Sequence, residues 1–331
     1  MQSAKRLPVE IAGIGSYLPG QVLSNADLEE MVDTSHEWIV PRTGIHERRV
    51  AAEDEATSDL AIAAAKEALA VAEVDGAELD VILVATCTPD YLFPATGCLV
   101  QAAVGAENAM GCDVEAACSG FVYSLSAAAG MIAGGVARNA LVIGAEALSR
   151  VTDYTDRRSC ILFGDGAGAV VLRRSRNGGE LLYTELGADG TKPDILMVPA
   201  GGARNPASHR TVDAHDHYIK LSGREVFKLA VNKLTELIKR IPEQTGVGLD
   251  EIRMVIPHQS NIRIIQSALE RADLEVEKAY MNIDLVGNTS AASIPLAMAE
   301  AVEKGELERG DLVLLLAFGG GLTWGSTLLR Y

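Results

Sequence analysis

Basic residues are scarce in this chain. Lysine and arginine number 29 against 45 aspartates and glutamates, a formal charge of −16 over 331 residues. That deficit excludes a broad surface for nucleic acid or an anionic membrane, since docking would bring like charges together. Any anionic partner has to use a local basic patch. Cysteine is sparse as well, and Cys87, Cys98, Cys112, Cys118 and Cys160 are odd in number, irregularly spaced and set among apolar residues. This excludes a secreted disulfide framework and fits a reducing cytosol. Aromatics are only 5%, whereas hydrophobic residues reach 48%, charged residues 22% and glycine 32 positions. Such a profile belongs to a globular α/β enzyme and not to a disordered or fibrous chain. The first residues show neither a long apolar run nor a small-residue cleavage site, so no targeting peptide is expected.

The segment Ala116 to Ala137 carries no charge and on length alone could cross a membrane. It is short of large aliphatic side chains, being mostly Ala, Gly and Ser, so it gains little from lipid and suits close packing as a central helix. Runs apolar on both faces, Asp80 to Thr86, Ala140 to Gly144, Met254 to Pro257 and Asp311 to Ala317, read as buried strands. Helical patterns lie between them at 58–72, 96–104, 225–240, 263–272 and 294–304, giving α/β architecture with helices sandwiching sheets. The order strand, Gly-rich turn, strand at 140–172 recurs at 311–329 with different spacing. This pseudo-repeat divides the chain near Arg173 into halves 1–173 and 174–331.

Four places carry reactive chemistry. Cys118 opens the uncharged helix, where orphan N–H groups and the helix dipole favour a thiolate; the alternative is a buried, inert thiol. His258 follows a buried strand, where open α/β sheets place ligands, or is a histidine satisfied by local hydrogen bonds. Asn288 sits in a polar turn before a helix, as a donor to an oxyanion or as a turn or N-cap residue. Phe318-Gly-Gly-Gly321 either presents backbone N–H groups to a carbonyl oxygen or is a tight turn. Two other motifs are rejected. Gly164-Asp-Gly-Ala-Gly168 precedes a strand instead of joining strand to helix, so it is no nucleotide loop. His215-Asp-His217 is read as strand spacing with no second ligand cluster, which argues against a metal.

Together these motifs resemble the β-ketoacyl-acyl-carrier-protein synthase III family of thiolase-like condensing enzymes. The likeness runs nearly end to end and includes His36-Glu-Trp-Ile-Val-Pro-Arg-Thr-Gly-Ile, Phe163-Gly-Asp-Gly-Ala-Gly-Ala, Gly223-Arg-Glu-Val-Phe-Lys and Ala317-Phe-Gly-Gly-Gly-Leu-Thr-Trp-Gly-Ser. The resemblance implies a duplicated αβαβα five-layer fold, a homodimer, a cytoplasmic location, and a ping-pong reaction with no metal or redox cofactor, acyl-CoA being a substrate. It implies Cys118, His258 and Asn288 as the catalytic triad and the backbone N–H groups of Cys118 and Gly320 as the oxyanion hole. Cys118 takes an acyl group from acyl-CoA, and His258 and Asn288 stabilise the enolate formed when malonyl-acyl carrier protein loses carbon dioxide.

By the same resemblance Trp38 and Arg157 hold the CoA nucleotide, Arg42 its phosphates and Asn261 the pantetheine arm, with Phe227 and Phe318 as further substrate contacts. Phe93 reaches the acyl pocket of the partner subunit, and pocket size depends on packing around Phe93 and Leu148. Lys228, Arg263 and Arg271 form the carrier-protein patch, although Glu270 stands where the family often has a second basic residue. A degradative thiolase needs a second cysteine near the C-terminal Gly-rich turn, which is lacking, and elongating condensing enzymes carry a histidine where Asn288 stands. The rivals are an acyltransferase or ketide-forming enzyme of specialised metabolism with the same three residues, and a catalytically silent acyl-binding homologue.

Overall fold

The computed structural model describes residues 6–176 and 178–331. Its strands are β1 (Val9–Tyr17), β2 (Gln21–Ser24), β3 (Glu47–Val50), β4 (Val81–Ala85), β5 (Met110–Val114), β6 (Asn139–Glu146), β7 (Gly166–Arg174), β8 (Glu180–Ala188), β9 (Leu196–Met197), β10 (Lys220–Leu221), β11 (Met254–Pro257), β12 (Leu312–Gly319) and β13 (Thr323–Arg330). The helices are α1 (Asn25–Met31), α2 (His36–Thr43), α3 (Thr57–Ala72), α4 (Thr96–Ala103), α5 (Gly120–Ala133), α6 (His209–Asp213), α7 (Gly223–Thr245), α8 (Ile262–Arg271), α9 (Ile283–Val286) and α10 (Ser293–Glu303).

Two sheets follow one plan. The first runs β1-β7-β6-β4-β5 and the second β8-β13-β12-β11. In each, the last-named pair shared by both plans is parallel, β6 with β4 and β12 with β11, and the two preceding pairs are antiparallel. The different spacing seen in the repeat has a simple cause. Between β6 and β7 the chain makes a long excursion over 147–165, whereas β12 turns into β13 within residues 320–322.

Because strand side chains alternate, a strand covered on both faces must be apolar at every position. On β12, Val313, Leu315 and Ala317 face one core cluster, while Leu312, Leu314 and Leu316 face another. On β4, Val81 and Leu83 face that same first cluster, and Ile82 and Val84 turn to the α3 side. The shared cluster holds Phe121, Leu125 and Ile132 of α5 with Ile294, Ala297 and Met298 of α10, so these two helices lie between the sheets. Helix α3 covers the outer face of the first sheet, and α7 and α8 that of the second. The result is five layers, helix, sheet, helix, sheet, helix, as the resemblance implied.

The uncharged segment is the buried α5, and no helix among the described residues is long and apolar enough to cross a membrane. Helix α7 continues past the expected end at residue 240, through Pro242 to Thr245, although the proline removes one intrahelical bond in the last turn. The strand reading of 215–217 is corrected. His215 follows α6 with a left-handed φ of 55° and its Nδ1 lies 2.9 Å from Asp153 Oδ2, while His217 Nε2 meets Thr211 Oγ1 at 2.9 Å. The two imidazoles are thus taken up by separate partners, and no three-ligand metal cluster exists among the described residues. Asp165, in the rejected glycine-rich motif, is structural: it accepts the N–H groups of Ala51 and Ser149 at 2.8 Å each.

Leu125 is fully buried between the sheets. Leu125→Ala is expected to lower unfolding free energy by about 2–5 kcal/mol, since the layers on both sides can collapse only partly, and chemical denaturation checks it.

Candidate active site

After β5 the chain turns sharply through residues 115–119 before entering α5, and Ala117 takes a left-handed φ of 45°. Such strain at a non-glycine residue clusters at functional sites. The turn is held from the second half by the Thr323 hydroxyl, which donates to the Ala116 carbonyl at 2.8 Å. Gly319 is essential to this approach. A Cβ there would stand 2.7 Å from the Cys118 nitrogen. The Cys118 sulfur accordingly lies within hydrogen-bond reach of its own N–H and that of Gly320.

His258 follows β11, and its N–H continues the parallel pairing by donating to the Leu316 carbonyl at 2.7 Å. Its Nδ1 lies 2.7 Å from Ser293 Oγ at the start of α10. Asn288 is pinned by its backbone. Its N–H donates to Leu162 O at 2.9 Å, and its carbonyl accepts Gly164 N–H at 3.0 Å. The side-chain Oδ1 accepts Ser290 N–H at 2.9 Å, so Asn288 is a turn asparagine whose Nδ2 has no hydrogen-bond partner among the described residues.

Cys118, His258 and Asn288 line one cavity of about 230 Å³. Trp38, Arg42, Phe227, Asn261 and Phe318 line it too. Arg157 and Phe93 do not. Arg157 packs its guanidinium 5.7 Å from the Trp38 ring centroid and bonds Asp33 Oδ2 at 3.0 Å, and Arg158 reaches the cavity instead. Arg42 stacks on the same ring at 4.6 Å, and Asn261 Nδ2 donates to the Arg42 carbonyl at 2.8 Å. Phe93 is 85% exposed beside Tyr91 and Leu92, outside the linings of both cavities at Cys118. Lys228, Arg263 and Arg271 are all exposed on the paired helices α7 and α8. Arg263 lies over Phe227, and Arg271 at the far end of α8 donates to Asn232 at 3.1 Å.

A second, larger cavity of about 620 Å³ meets Cys118 from the other side, lined by Cys87, Leu148, Phe163, Ile219, Ser290 and Gly320 among others. Burial governs the electrostatics here. It pushes the Cys118 thiol up to about 12 despite opposing hydrogen bonds from Ser290 and two backbone N–H groups, so the thiolate expected from the helix terminus is not the resting state. The same burial pushes the His258 imidazole down to about 3, leaving it neutral. Ser290, Ser293, Cys87 and Glu146 escaped the sequence reading, their only local signal being polar side chains beside strand ends.

Two repeated half-folds that bring a thiol from one and an imidazole and carboxamide from the other to a shared cavity place the molecule among the thiolase-like condensing enzymes. The model for 3-oxoacyl-[acyl-carrier-protein] synthase III matches residues 112–190, and the model for its C-terminal part matches 243–331. The beta-ketoacyl-[acyl-carrier-protein] synthase III of Caldanaerobacter subterraneus is 50% identical over 327 residues, covering 99% of each chain. The chain belongs to the beta-ketoacyl-[acyl-carrier-protein] synthase III family. The crystal structure of the Aquifex aeolicus synthase III is 48% identical, with a TM-score of 0.90 over 98% of this chain and 100% of that one. The priming beta-ketosynthase of the R1128 polyketide pathway is 33% identical, with a TM-score of 0.91 over 100% of this chain and 98% of that one.

Unfolded, His258 takes up a proton near its ordinary 6.5; folded, it does so only near 3. Its contribution to stability is therefore complete above about pH 6.5 and is lost as pH falls towards 3. The urea-midpoint advantage of wild type over His258→Ala is expected to shrink from pH 7 to pH 4.5.

Proposed function

We propose that this chain condenses a short acyl-CoA with malonyl-acyl carrier protein, releasing CoA and carbon dioxide and starting fatty acid synthesis. One observation carries the assignment of residues: Cys118, His258 and Asn288 share a cavity although they lie far apart in sequence. Cys118 attacks the acyl-CoA carbonyl, and the N–H groups of Cys118 and Gly320 receive the oxyanion before CoA departs. The acyl chain then rests in the larger cavity beside Leu148. The malonyl thioester enters next, with its carbonyl oxygen between His258 Nε2 and Asn288 Nδ2. Ser293 donates its one hydroxyl proton to the Ser290 carbonyl at 2.8 Å and lies 2.7 Å from His258 Nδ1, so it fixes the orientation of the ring, while donation to the substrate requires the proton on Nε2. Both donors gain strength as enolate charge develops on loss of carbon dioxide, and the carbanion attacks the acyl-Cys118 carbonyl.

In this reading Trp38, Arg42 and Arg157 grip the CoA nucleotide, with Arg157 swinging off the Trp38 ring to admit it. Asn261, Phe227 and Phe318 flank the pantetheine arm. Lys228, Arg263 and Arg271 face the acidic carrier protein, Arg271 the weakest of them because Asn232 already engages it. The exposed Tyr91–Phe93 loop is the contact through which two copies form a cytoplasmic homodimer and place Phe93 in the partner's acyl cavity. The halves 1–173 and 174–331 then act as nucleophile carrier and carbanion stabiliser. The likeness to the R1128 priming ketosynthase supports a second placement, in which the same chemistry primes a specialised pathway. Turnover with fatty acid and polyketide carrier proteins, across a panel of starters, separates the two.

After incubation with acetyl-CoA, mass spectrometry is expected to find an acetyl adduct on Cys118 and none in Cys118→Ser. His258→Ala and Asn288→Ala should keep the adduct and lose about 10²-fold or more in the decarboxylating step. Absence of an adduct with every acyl-CoA would identify a silent binding homologue.

A further inference from the structure

Strand β3 carries Arg48, whose side chain is fully buried although none of the ion pairs among the described residues includes it. Burial pulls the guanidinium down to about 10, so it remains a cation at neutral pH. A charge kept in the interior without an opposite charge is costly unless its N–H groups are well used. Here they are divided between two parts of the chain. Nη1 donates to the Leu23 carbonyl and to Asn25 Oδ1 at 3.0 Å each. Nη2 donates to Asn25 Oδ1 at 3.1 Å and to the Ile161 carbonyl at 2.8 Å. Asn25 is itself buried, and its Nδ2 donates to the Ile45 carbonyl at 2.8 Å.

Both parts lead to the cavity that holds the imidazole and the carboxamide. Leu23 and Asn25 stand at the start of α1, and α2 beyond it supplies Trp38 and Arg42 to the lining. Ile161 lines the same cavity and opens the segment 161–164 that fixes Asn288. Within that segment Leu162 O accepts the Asn288 N–H at 2.9 Å, Gly164 N–H donates to the Asn288 carbonyl at 3.0 Å, and Phe163 faces Asn288 in a parallel bridge. The stem of Arg48 packs against the same place. A Cβ on Gly164 would stand 3.0 Å from the Arg48 Cβ, and one on Gly287 would stand 3.1 Å from it. Arg48 thus backs this pairing without lining the cavity itself.

We propose that Arg48 is a positioning residue that holds segment 161–164 to the start of α1 and thereby sets where the Asn288 carboxamide stands during decarboxylation. The inference rests on Asn288 being an enolate donor. Arginine suits this position because two nitrogens of one rigid fork reach acceptors on different segments, whereas a lysine ammonium donates from a single point. A segment freed at Ile161 lets the Asn288 turn drift, and a donor displaced by about 1 Å loses much of its hold on the developing oxyanion.

At saturating malonyl-acyl carrier protein, Arg48→Met is expected to decarboxylate about 10- to 100-fold more slowly than wild type. Arg48→Lys, which keeps the charge, is expected to show a similar loss. Alkylation of Cys118 by iodoacetamide, read by peptide mass spectrometry, stays at the wild-type rate in both, because other contacts hold the Cys118 turn. In an Asn288→Ala background Arg48→Met costs nothing more, as expected when one group acts through another. A general loosening of the fold would instead change the alkylation rate and add its loss to that of Asn288→Ala. Asn25→Ala removes the acceptor shared by both nitrogens; it is expected to slow decarboxylation too, and it carries the test should Arg48→Met not fold. Wild-type decarboxylation in Arg48→Met or, in its place, Asn25→Ala overturns the positioning role while leaving Asn288 as a donor. Full activity in Arg48→Lys or an additive loss in the double variant does the same. An Asn288→Ala enzyme that decarboxylates at the wild-type rate overturns both.

Discussion

The end of β12 touches the backbone of the Cys118 turn, and the rest of the site depends on that contact. A side chain at residue 319 would collide with the Cys118 nitrogen, so the end of β12 meets the Cys118 turn only because residue 319 has no Cβ. A similar contact recurs opposite. A Cβ at Gly144 of β6 would lie 2.2 Å from the Ala291 carbonyl, so the segment after Asn288 is pressed onto the first half. Each half therefore pins the other's reactive turn. The left-handed backbone at Ala117 and at Ser290 is sustained by these contacts, since neither residue would adopt it in an isolated turn.

Burial then fixes the chemistry. Thiol, imidazole and the Glu146 carboxyl are all driven by desolvation towards their neutral forms. Charge then develops during reaction on a carbonyl oxygen, where fixed N–H donors at a buried sulfur act strongly. Burial works against the thiolate that the helix terminus favours at Cys118.

Much of the architecture was legible because double-faced burial leaves a plain mark. Runs such as Leu312 to Ala317 fit central strands covered on both faces, and the small residues of α5 fit a helix squeezed between sheets. Cys118, His258 and Asn288 each stand beside the end of a strand or helix, but that position left each with a structural alternative, and only the family resemblance joined them. Glu146 and Ser290 were not legible, since a glutamate closing one strand and a serine in a turn 144 residues later both reach Cys87 only in the folded chain. The misread His215 and His217 show the opposite failure. An i, i+2 pattern has meaning only in a strand, and here a five-residue helix and a left-handed turn intervene. Phe93 entered only through the resemblance, and a single chain leaves it in solvent.

The two cavities give a physical reason for a two-step reaction on the proposed assignment. His258 and Asn288 line only the smaller one, Cys87 and Leu148 only the larger, and Cys118 lies on both. An acyl group transferred to sulfur can swing into the larger space, where no enolate-stabilising donor reaches it. The smaller space is then empty of substrate once CoA leaves, and its two donors become available to the malonyl thioester. Had all three side chains opened onto a single chamber, the bound acyl group would compete for the donors its successor needs. Separation at the sulfur thus enforces the order of events through shape alone.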